Sequence, residues 1–237
     1  MVTALLVFAR CAGFVFRAPG FAHPSVPGVL RGGLAAALTI AIVPFVAAAP
    51  ASDGMAFVLA AVTEFLLGSA IGMTAALVYD GAYAGGRIVD DYVGVKAIAP
   101  SLQLVAPSGF GRIWSIAYTG AFFLSGAYRP VIAGFANSFV RIPLGAPLHP
   151  NDWSVYASVF AASFALVASQ VAAPSIALAF VVQIALGALS RAIPRFGSFT
   201  LAFPLAFAAA LVATAIALPL AAQHVPAPLL AIPGGRP

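Results

Sequence analysis

Long runs of uncharged, apolar residues alternate with short charged or proline-rich stretches along the chain. The clearest run, Gly32–Ser52, has about 21 residues without a charge, enough at 1.5 Å per residue for a helix to cross a hydrocarbon core of about 30 Å. Met55–Tyr79 is as long and carries one charge near its middle, Glu64. Because only a short stretch around Asp53 separates the two runs, they are predicted to form an antiparallel helical hairpin.

The C-terminal third predicts a second hairpin. Trp153–Ser190 contains no charge over about 38 residues, which is too long for one plain crossing. Either it begins with an interfacial helix, or it is one long helix bent at Pro174. The tight connection Arg191–Gly197 then leads into a last span, Ser198–Leu220.

The first apolar segment, Val2–Pro19, differs because it contains Arg10 and Arg17. An arginine at a bilayer centre costs about 2.5 to 3.5 kcal/mol on insertion scales, so this segment is a poor span by itself. A cleaved signal peptide, ending either here or near Pro50, is disfavoured because the arginines lie within and after the first apolar run and the later spans fit an anchored chain.

The stretch Asp80–Arg112 is the longest region predicted not to span. It collects several charges and then becomes rich in Pro, Gly and Ser; its apolar character predicts that part of it lies against protein. Ile113–Tyr128 is a short span that is expected to continue past Pro130 as a kinked helix towards Val140. A proline-rich loop follows.

Composition supports a membrane class: 62% of residues are hydrophobic, 7% are charged and the mean hydropathy is +1.06, whereas a soluble domain carries about 25% charged residues. The fold class is therefore predicted to be all-α, a polytopic membrane protein with about six hydrophobic helices, two helical hairpins and kinked helices. Basic residues are more numerous in the first, third and fifth connections between the predicted spans than in the others. Because basic residues favour the cytoplasmic side, these connections are predicted to lie in the cytoplasm and both termini outside. The two sets are Arg31, Arg87, Lys96, Arg112, Arg191 and Arg195 against Arg129, Arg141 and Arg236.

The residues that could support catalysis or cofactor binding are few and scattered. One cysteine, Cys11, cannot form an intrachain disulfide or a thiolate metal cluster, and the three histidines lie in separate loops. A single lysine, Lys96, and the absence of GxxxxGK[ST] and GxSxG motifs argue against a nucleotide-binding loop or a serine nucleophile. Asp90 and Asp91 are interpreted as a solvated loop face rather than a carboxylate pair. The sequence predicts no enzyme, no cofactor, no metal and no nucleic-acid partner.

Glu64 is the most informative charge, because an ionisable group within a membrane span is costly unless it functions in proton transfer or is paired. Small-residue spacings that allow close helix packing occur at Gly28 and Gly32, at Gly68 and Gly72, and at Gly81 and Gly85; the second pair begins one turn past Glu64. This arrangement favours a tightly packed helix interface in which a neighbour neutralises Glu64. A Glu64-dependent ion- or proton-coupled transporter stays the rival, although no internal repeat is found.

The order of several short motifs resembles the FliR/SctT family, the single-copy membrane subunit of flagellar and type III secretion export gates. The resemblance covers nearly the whole chain. The motifs are Arg10 with Gly13, Ala18-Pro19-Gly20-Phe21, Ser25-Val26-Pro27, Arg31-Gly32-Gly33-Leu34-Ala35, Glu64-Phe65-Leu66-Leu67-Gly68 with Gly72, Gly85, Ala99-Pro100, Phe123 with Gly126, Ser138 with Pro143-Leu144-Gly145, and Leu186-Gly187 with Arg191, Pro194 and Phe199.

The resemblance implies a non-enzymatic subunit of a helical, hetero-oligomeric pore in the bacterial inner membrane, at the core of the flagellar basal body. Its partners would be FliP-like and FliQ-like gate subunits, an FlhB-like switch protein, membrane lipid and the unfolded proteins that pass through. Residues 1–150 would form a FliP-like portion and residues 151–237 a FliQ-like hairpin of one export-gate domain. The first connection favours the flagellar system; an injectisome is the alternative.

The same resemblance implies roles for four groups of residues. Residues 100 to 112 would form a movable plug whose glycines give freedom to the backbone and whose Leu104 and Phe110 form an apolar seal; the plug residues are Pro100, Leu104, Pro107, Ser108, Gly109, Phe110, Gly111 and Arg112. Glu64, Arg10 and Arg17 would be intersubunit or intramembrane charges. Gly68 and Gly72 would pack helices, and Arg191, Pro194 and Arg195 would lie at a cytoplasmic constriction.

Overall fold

A computed structural model describes residues 1–22, 26–49, 54–94, 109–146, 150–192 and 199–223. Regular structure within these residues is helical, and a 3-10 turn at Val43–Phe45 extends the second helix. The seven α-helices are α1 (Val2–Arg17), α2 (Gly28–Ile42), α3 (Met55–Val93), α4 (Phe110–Ser125), α5 (Tyr128–Arg141), α6 (Pro150–Ala192) and α7 (Phe199–Gln223).

Three of the described helical segments are long and apolar enough to cross a membrane. They are Gly28–Phe45, Met55–Val93 and Pro150–Leu189, with mean hydropathies of 1.7, 1.8 and 2.0, and a shorter apolar helix covers Pro204–Ala217. In a bilayer a helix satisfies its own backbone hydrogen bonds, which is why apolar runs of this length become helices. The predicted class, an all-α polytopic membrane protein, is confirmed.

Helix α3 is much longer than the span predicted at its start. It has 39 residues, about 58 Å at 1.5 Å per residue, and continues beyond Tyr79 to Val93. Residues 80–93, which were predicted to belong to a connection that does not span, are thus part of α3, because charged side chains do not interrupt a helix as proline does. The helix ends at Gly94, whose positive φ of 84° is the left-handed conformation that commonly terminates helices.

The segment predicted as one kinked helix past Tyr128 is two helices, α4 and α5. The chain breaks at Gly126, which has a positive φ of 75°, a conformation that glycine adopts without steric cost. Pro130 lies in the first turn of α5, where a backbone N–H is not needed for the helical ladder. The turn, rather than the proline, ends the preceding helix.

Helix α6 is a single helix of 43 residues that contains Pro174. Of the two alternatives for this long uncharged run, the structure has the single long helix, and the bend at Pro174 stays a prediction. Its length is about 65 Å at 1.5 Å per residue, roughly twice the hydrocarbon thickness of about 30 Å.

The chain divides into two compact units. Unit 1 contains Met1–Leu77 and Phe123–Ser163, and unit 2 contains Val78–Phe122 and the described residues from Phe164 onwards. The core of unit 1 includes Phe14 stacked on Phe135, with ring centroids 4.2 Å apart. The core of unit 2 is a buried cluster that consists of Val89, Val93, Phe110, Ala172, Ala206 and Ala210. The resemblance implies a different division, into a FliP-like portion up to residue 150 and a FliQ-like hairpin after it, and this division stays a prediction.

Candidate functional site

Helices α1 and α3 cross in unit 1 with their backbones almost in contact. A Cβ atom added to Gly68 would collide with the carbonyl oxygen of Arg10, and one added to Gly13 would collide with that of Phe65. One turn further along α3, a Cβ on Gly72 would lie 2.7 Å from the carbonyl oxygen of Phe14. Glycine is thus required here because only a residue without a side chain allows the two helices to approach so closely.

This close crossing brings together two buried charges from the two helices. The Nε atom of Arg10 donates a hydrogen bond of 2.5 Å to Oε2 of Glu64, and each side chain is 1% exposed. An unpaired charge in such surroundings would keep a large desolvation penalty, which an opposite charge and good hydrogen bonds offset. The pair therefore explains how two ionised side chains are tolerated in an apolar core.

The two terminal nitrogens of the Arg10 guanidinium each donate one hydrogen bond to the C-terminal end of α5. Its Nη1 and Nη2 atoms each donate a 3.1 Å hydrogen bond, to the carbonyl oxygens of Ser138 and Ile142 respectively. The Ser138 carbonyl oxygen also accepts the backbone N–H of Ile142. Carbonyls at a helix C-terminus carry partial negative charge, so a cation is favoured there. The guanidinium carbon also lies 4.4 Å from the centroid of the Phe139 ring, a cation–π contact.

The second oxygen of Glu64 binds the turn that follows α5. Its Oε1 accepts a 2.9 Å hydrogen bond from the backbone N–H of Gly145, whose positive φ of 71° favours glycine. Glu64 therefore has a donor on each oxygen, Arg10 on one and Gly145 on the other. This arrangement, the Arg10–Glu64 staple, joins α1, α3, the end of α5 and the turn after it.

A carboxylate bound in this way is suited to holding helices together rather than to carrying protons. A relay group must exchange partners during turnover, whereas both oxygens of Glu64 are occupied by donors from the protein itself. The sequence predicts that Glu64 is an intersubunit or intramembrane charge neutralised by a neighbour, and the structure places a partner in the same chain, Arg10. The other expected intersubunit charge, Arg17, is exposed at the end of α1.

A second polar contact in unit 1 links α3 to α6. The hydroxyl of Tyr156 donates to the carbonyl oxygen of Ala70 at 2.7 Å, and the Thr74 hydroxyl lies 3.2 Å from the same tyrosine oxygen. Both side chains are buried, so a satisfied hydroxyl avoids the cost of an unbonded polar group. Sequence reasoning missed this contact, because nothing in the pattern distinguishes Tyr156 from other aromatic residues.

Unit 2 contains the described part of the predicted plug, residues 109–112. Phe110 and Gly111 are buried in the first turn of α4, and Phe110 packs on Phe207 with ring centroids 5.5 Å apart. The backbone N–H of Phe110 donates a 3.2 Å hydrogen bond to Oδ1 of Asp90. The interpretation of Asp90 as part of a solvated face was wrong: it is 2% exposed, whereas Asp91 is exposed, because adjacent helix residues point about 100° apart.

The structure leaves other predicted site residues apart or outside its described ranges. Arg191 is exposed near the C-terminal end of α6. Among the described residues no group of three His, Cys, Asp or Glu side chains could hold a metal ion. Predicted residues outside the described ranges are Pro100, Leu104, Pro107, Ser108, Pro194 and Arg195.

Comparison with known proteins identifies the family. Residues 1–229 match the family described as bacterial export proteins, family 1. The chain is similar to the flagellar biosynthetic protein FliR of Aquifex aeolicus (strain VF5), with 28% identity over 93% of this chain and 86% of the relative. For FliR of Bacillus subtilis (strain 168) the identity is 29% over 83% and 78%, and for FliR of Escherichia coli (strain K12) it is 27% over 81% and 75%. Together with the helical membrane fold, the match shows that this chain belongs to the bacterial export protein family 1.

Proposed function

We propose that this chain is a structural subunit of the gate of the flagellar protein export apparatus, and that unfolded export substrates cross the bacterial inner membrane through the pore it helps to form. The observation that carries this proposal is the family match over residues 1–229. The three relatives named above are flagellar biosynthetic proteins, which favours the flagellar system over an injectisome. Their names describe no enzymatic activity.

The exposed surface of the helices supports a subunit that is covered by lipid and by neighbouring proteins. Along α2 and its extension, large apolar side chains are exposed to 63% or more, namely Val29, Leu30, Ile40 and Phe45. Large apolar side chains that are exposed along one helix indicate a surface that contacts lipid or another protein. We propose that FliP-like and FliQ-like subunits surround the chain and that an FlhB-like protein lies at the cytoplasmic mouth.

Within this assembly the Arg10–Glu64 staple holds the helices of the subunit together, and exposed charged side chains contact neighbouring subunits. Arg17 would be such an intersubunit charge, since it lies exposed on the helix that carries Arg10. Arg191, with Pro194 and Arg195, would line the cytoplasmic constriction. Residues 100 to 112 would form the plug, and deleting residues 103 to 109 should then raise the small-ion leak of the assembled complex.

Native mass spectrometry tests the proposed assembly. The chain is co-expressed with FliP-like and FliQ-like proteins from the same cell and purified in mild detergent. We expect one copy of the chain in a stable complex with several copies of each partner. A monomer or homo-oligomer that ignores both partners would overturn the proposal.

Replacement of Glu64 by glutamine separates the gate from a coupled transporter. In the gate, Glu64→Gln weakens the staple and lowers the yield of the complex, because an ionised Arg10 is left buried without its counter-charge. In a transporter, the same change would abolish coupled uptake while the protein assembled normally. Asp91→Asn is the matched control, because it also converts a carboxylate to an amide on α3, at an exposed position.

A further inference from the structure

We propose that Asp90 is a positioning residue that holds the start of α4 against the end of α3 and so fixes the spacing of the two helix ends that the connection joins. This inference rests on the proposed function, in which that connection is expected to seal the pore. Asp90 is hydrogen-bonded through its backbone to the end of α3 and through its side chain to the start of α4. Its backbone carbonyl oxygen accepts a 3.2 Å bond from the N–H of Gly94, where α3 ends, and its side chain accepts the N–H of Phe110, where α4 begins.

The side-chain contact replaces a helix cap that the local sequence cannot provide. The residue before α4 is Gly109, which has no side-chain oxygen with which to accept one of the unsatisfied N–H groups at the helix start. Asp90 supplies that oxygen from another helix. A Cβ atom on Gly109 would lie 3.5 Å from Oδ1 of Asp90, so the carboxylate lies directly against the start of the helix.

A second feature on the same face of α3 supports the close docking. Gly86 lies one turn before Asp90, and a Cβ atom at this position would collide with the backbone of Gly111 and Phe110. The two glycines thus let the backbones of α3 and α4 meet, as Gly13 and Gly68 do for α1 and α3. Phe110 then inserts its ring between side chains of the unit 2 core, and Val89 and Val93 are part of the same cluster.

These contacts assign different roles to two adjacent carboxylates. Asp90 is buried and bonded to the start of α4, whereas Asp91 points away from this contact and is exposed. A purely electrostatic role, such as setting the charge at one end of the assembly, would be shared by both residues. A positioning role belongs to Asp90 alone and depends on its hydrogen-bonding oxygen rather than on its charge.

The test combines hydrogen exchange with ion leak in the complex assembled with FliP-like and FliQ-like proteins. Asp90→Ala removes the cap, and Gly86→Ala pushes the backbones apart while Asp90 is intact. We expect both variants to raise amide exchange at the start of α4 at least tenfold and to raise small-ion leak, with the complex still assembled. Asp90→Asn keeps an amide oxygen that can accept the Phe110 N–H and should restore both measurements to the native level.

Two matched controls separate positioning from general disturbance. Asp91→Ala removes the neighbouring carboxylate, and Gly120→Ala adds a methyl group on α4 at a site where nothing lies within 4 Å. Both should behave as the native chain. The inference is overturned if Asp90→Ala leaves the exchange unchanged, if exchange rises without leak, or if Asp90→Asn is as defective as Asp90→Ala. If even the native chain fails to join its partners, the proposed function fails, while the exchange data still decide whether Asp90 caps α4.

Discussion

Arg10 of α1 and Glu64 of α3 form an ion pair of 2.5 Å in which both side chains are 1% exposed. The two residues are 54 positions apart in the sequence, and the same arginine binds carbonyl oxygens 128 and 132 positions further along. A single side chain therefore connects three helices that the sequence separates widely. Its removal should lower the free energy of unfolding more than removal of Arg17, the other arginine on α1.

Breaking the pair from either side should be strongly destabilising. Arg10→Leu or Glu64→Leu leaves the other charge buried without its partner, so we expect each to lower the free energy of unfolding by about 3 to 5 kcal/mol. The double variant should lose less than the sum of the two, with an interaction of about 0.5 to 3 kcal/mol. Unfolding by denaturant in detergent micelles measures all three. Arg17→Leu, an exposed change on the same helix, should stay within about 0.5 kcal/mol, and strictly additive losses would contradict the coupling.

The close crossing of α1 and α3 predicts that a glycine-to-alanine substitution changes stability in opposite directions at two kinds of site. Gly68→Ala places a methyl group against the backbone of α1 and should destabilise the chain by more than about 1 kcal/mol. Gly32→Ala and Gly33→Ala on α2 meet nothing within 4 Å; there, alanine should be neutral or stabilise the helix by up to about 1 kcal/mol. Thermal unfolding in one detergent compares the three. Equal changes in stability at all three sites would show that helix propensity, not close packing, determines the effect of Gly68→Ala.

Cys11 offers a probe of the same crossing without any engineered label. It is the chain's one cysteine and is 0% exposed, next to Arg10 on α1. A thiol reagent should therefore label the native chain at least about tenfold more slowly than the chain unfolded in SDS, because labelling requires local opening. Glu64→Gln should speed native labelling and Arg17→Gln should not. A native rate equal to the unfolded rate would show that α1 does not pack as described.

The Tyr156 hydroxyl should contribute modestly to the stability of unit 1. Tyr156→Phe removes its bond to the Ala70 carbonyl oxygen, and we expect a loss of about 0.5 to 1.5 kcal/mol. Thr74→Val tests the second contact, and the two losses should not add because the Thr74 hydroxyl also donates a 3.0 Å hydrogen bond to the Ala70 carbonyl oxygen. Ser158→Ala is the control: this exposed serine on α6 bonds only the carbonyl oxygen of Val155 in its own helix among the contacts described. Denaturant unfolding is the measurement, and a loss equal to that of Ser158→Ala would contradict a role in packing.

The local pattern of this sequence determined the class of the protein and most of its helices. Apolar runs long enough to span a bilayer predicted α2, the first part of α3, α6 and α7, because each residue contributes separately to the free energy of transfer into lipid. The same local reasoning marked Glu64 as a charge that needs a partner and Gly68 and Gly72 as places where helices can approach. These inferences needed no knowledge of which elements meet.

Only the tertiary structure decided which residues meet. The partner of Glu64 is Arg10 in the same chain. Glu64 also accepts a backbone N–H, and Arg10 also donates to carbonyl groups at the end of α5. Such backbone groups are present at every residue, so the sequence does not mark them as partners. Asp90 and Asp91 look alike in the sequence, yet one is buried against α4 and the other is exposed. Burial and hydrogen bonding depend on contacts between residues far apart in the chain. A charged side chain is removed from water, and therefore needs a partner, only when the helices pack around it.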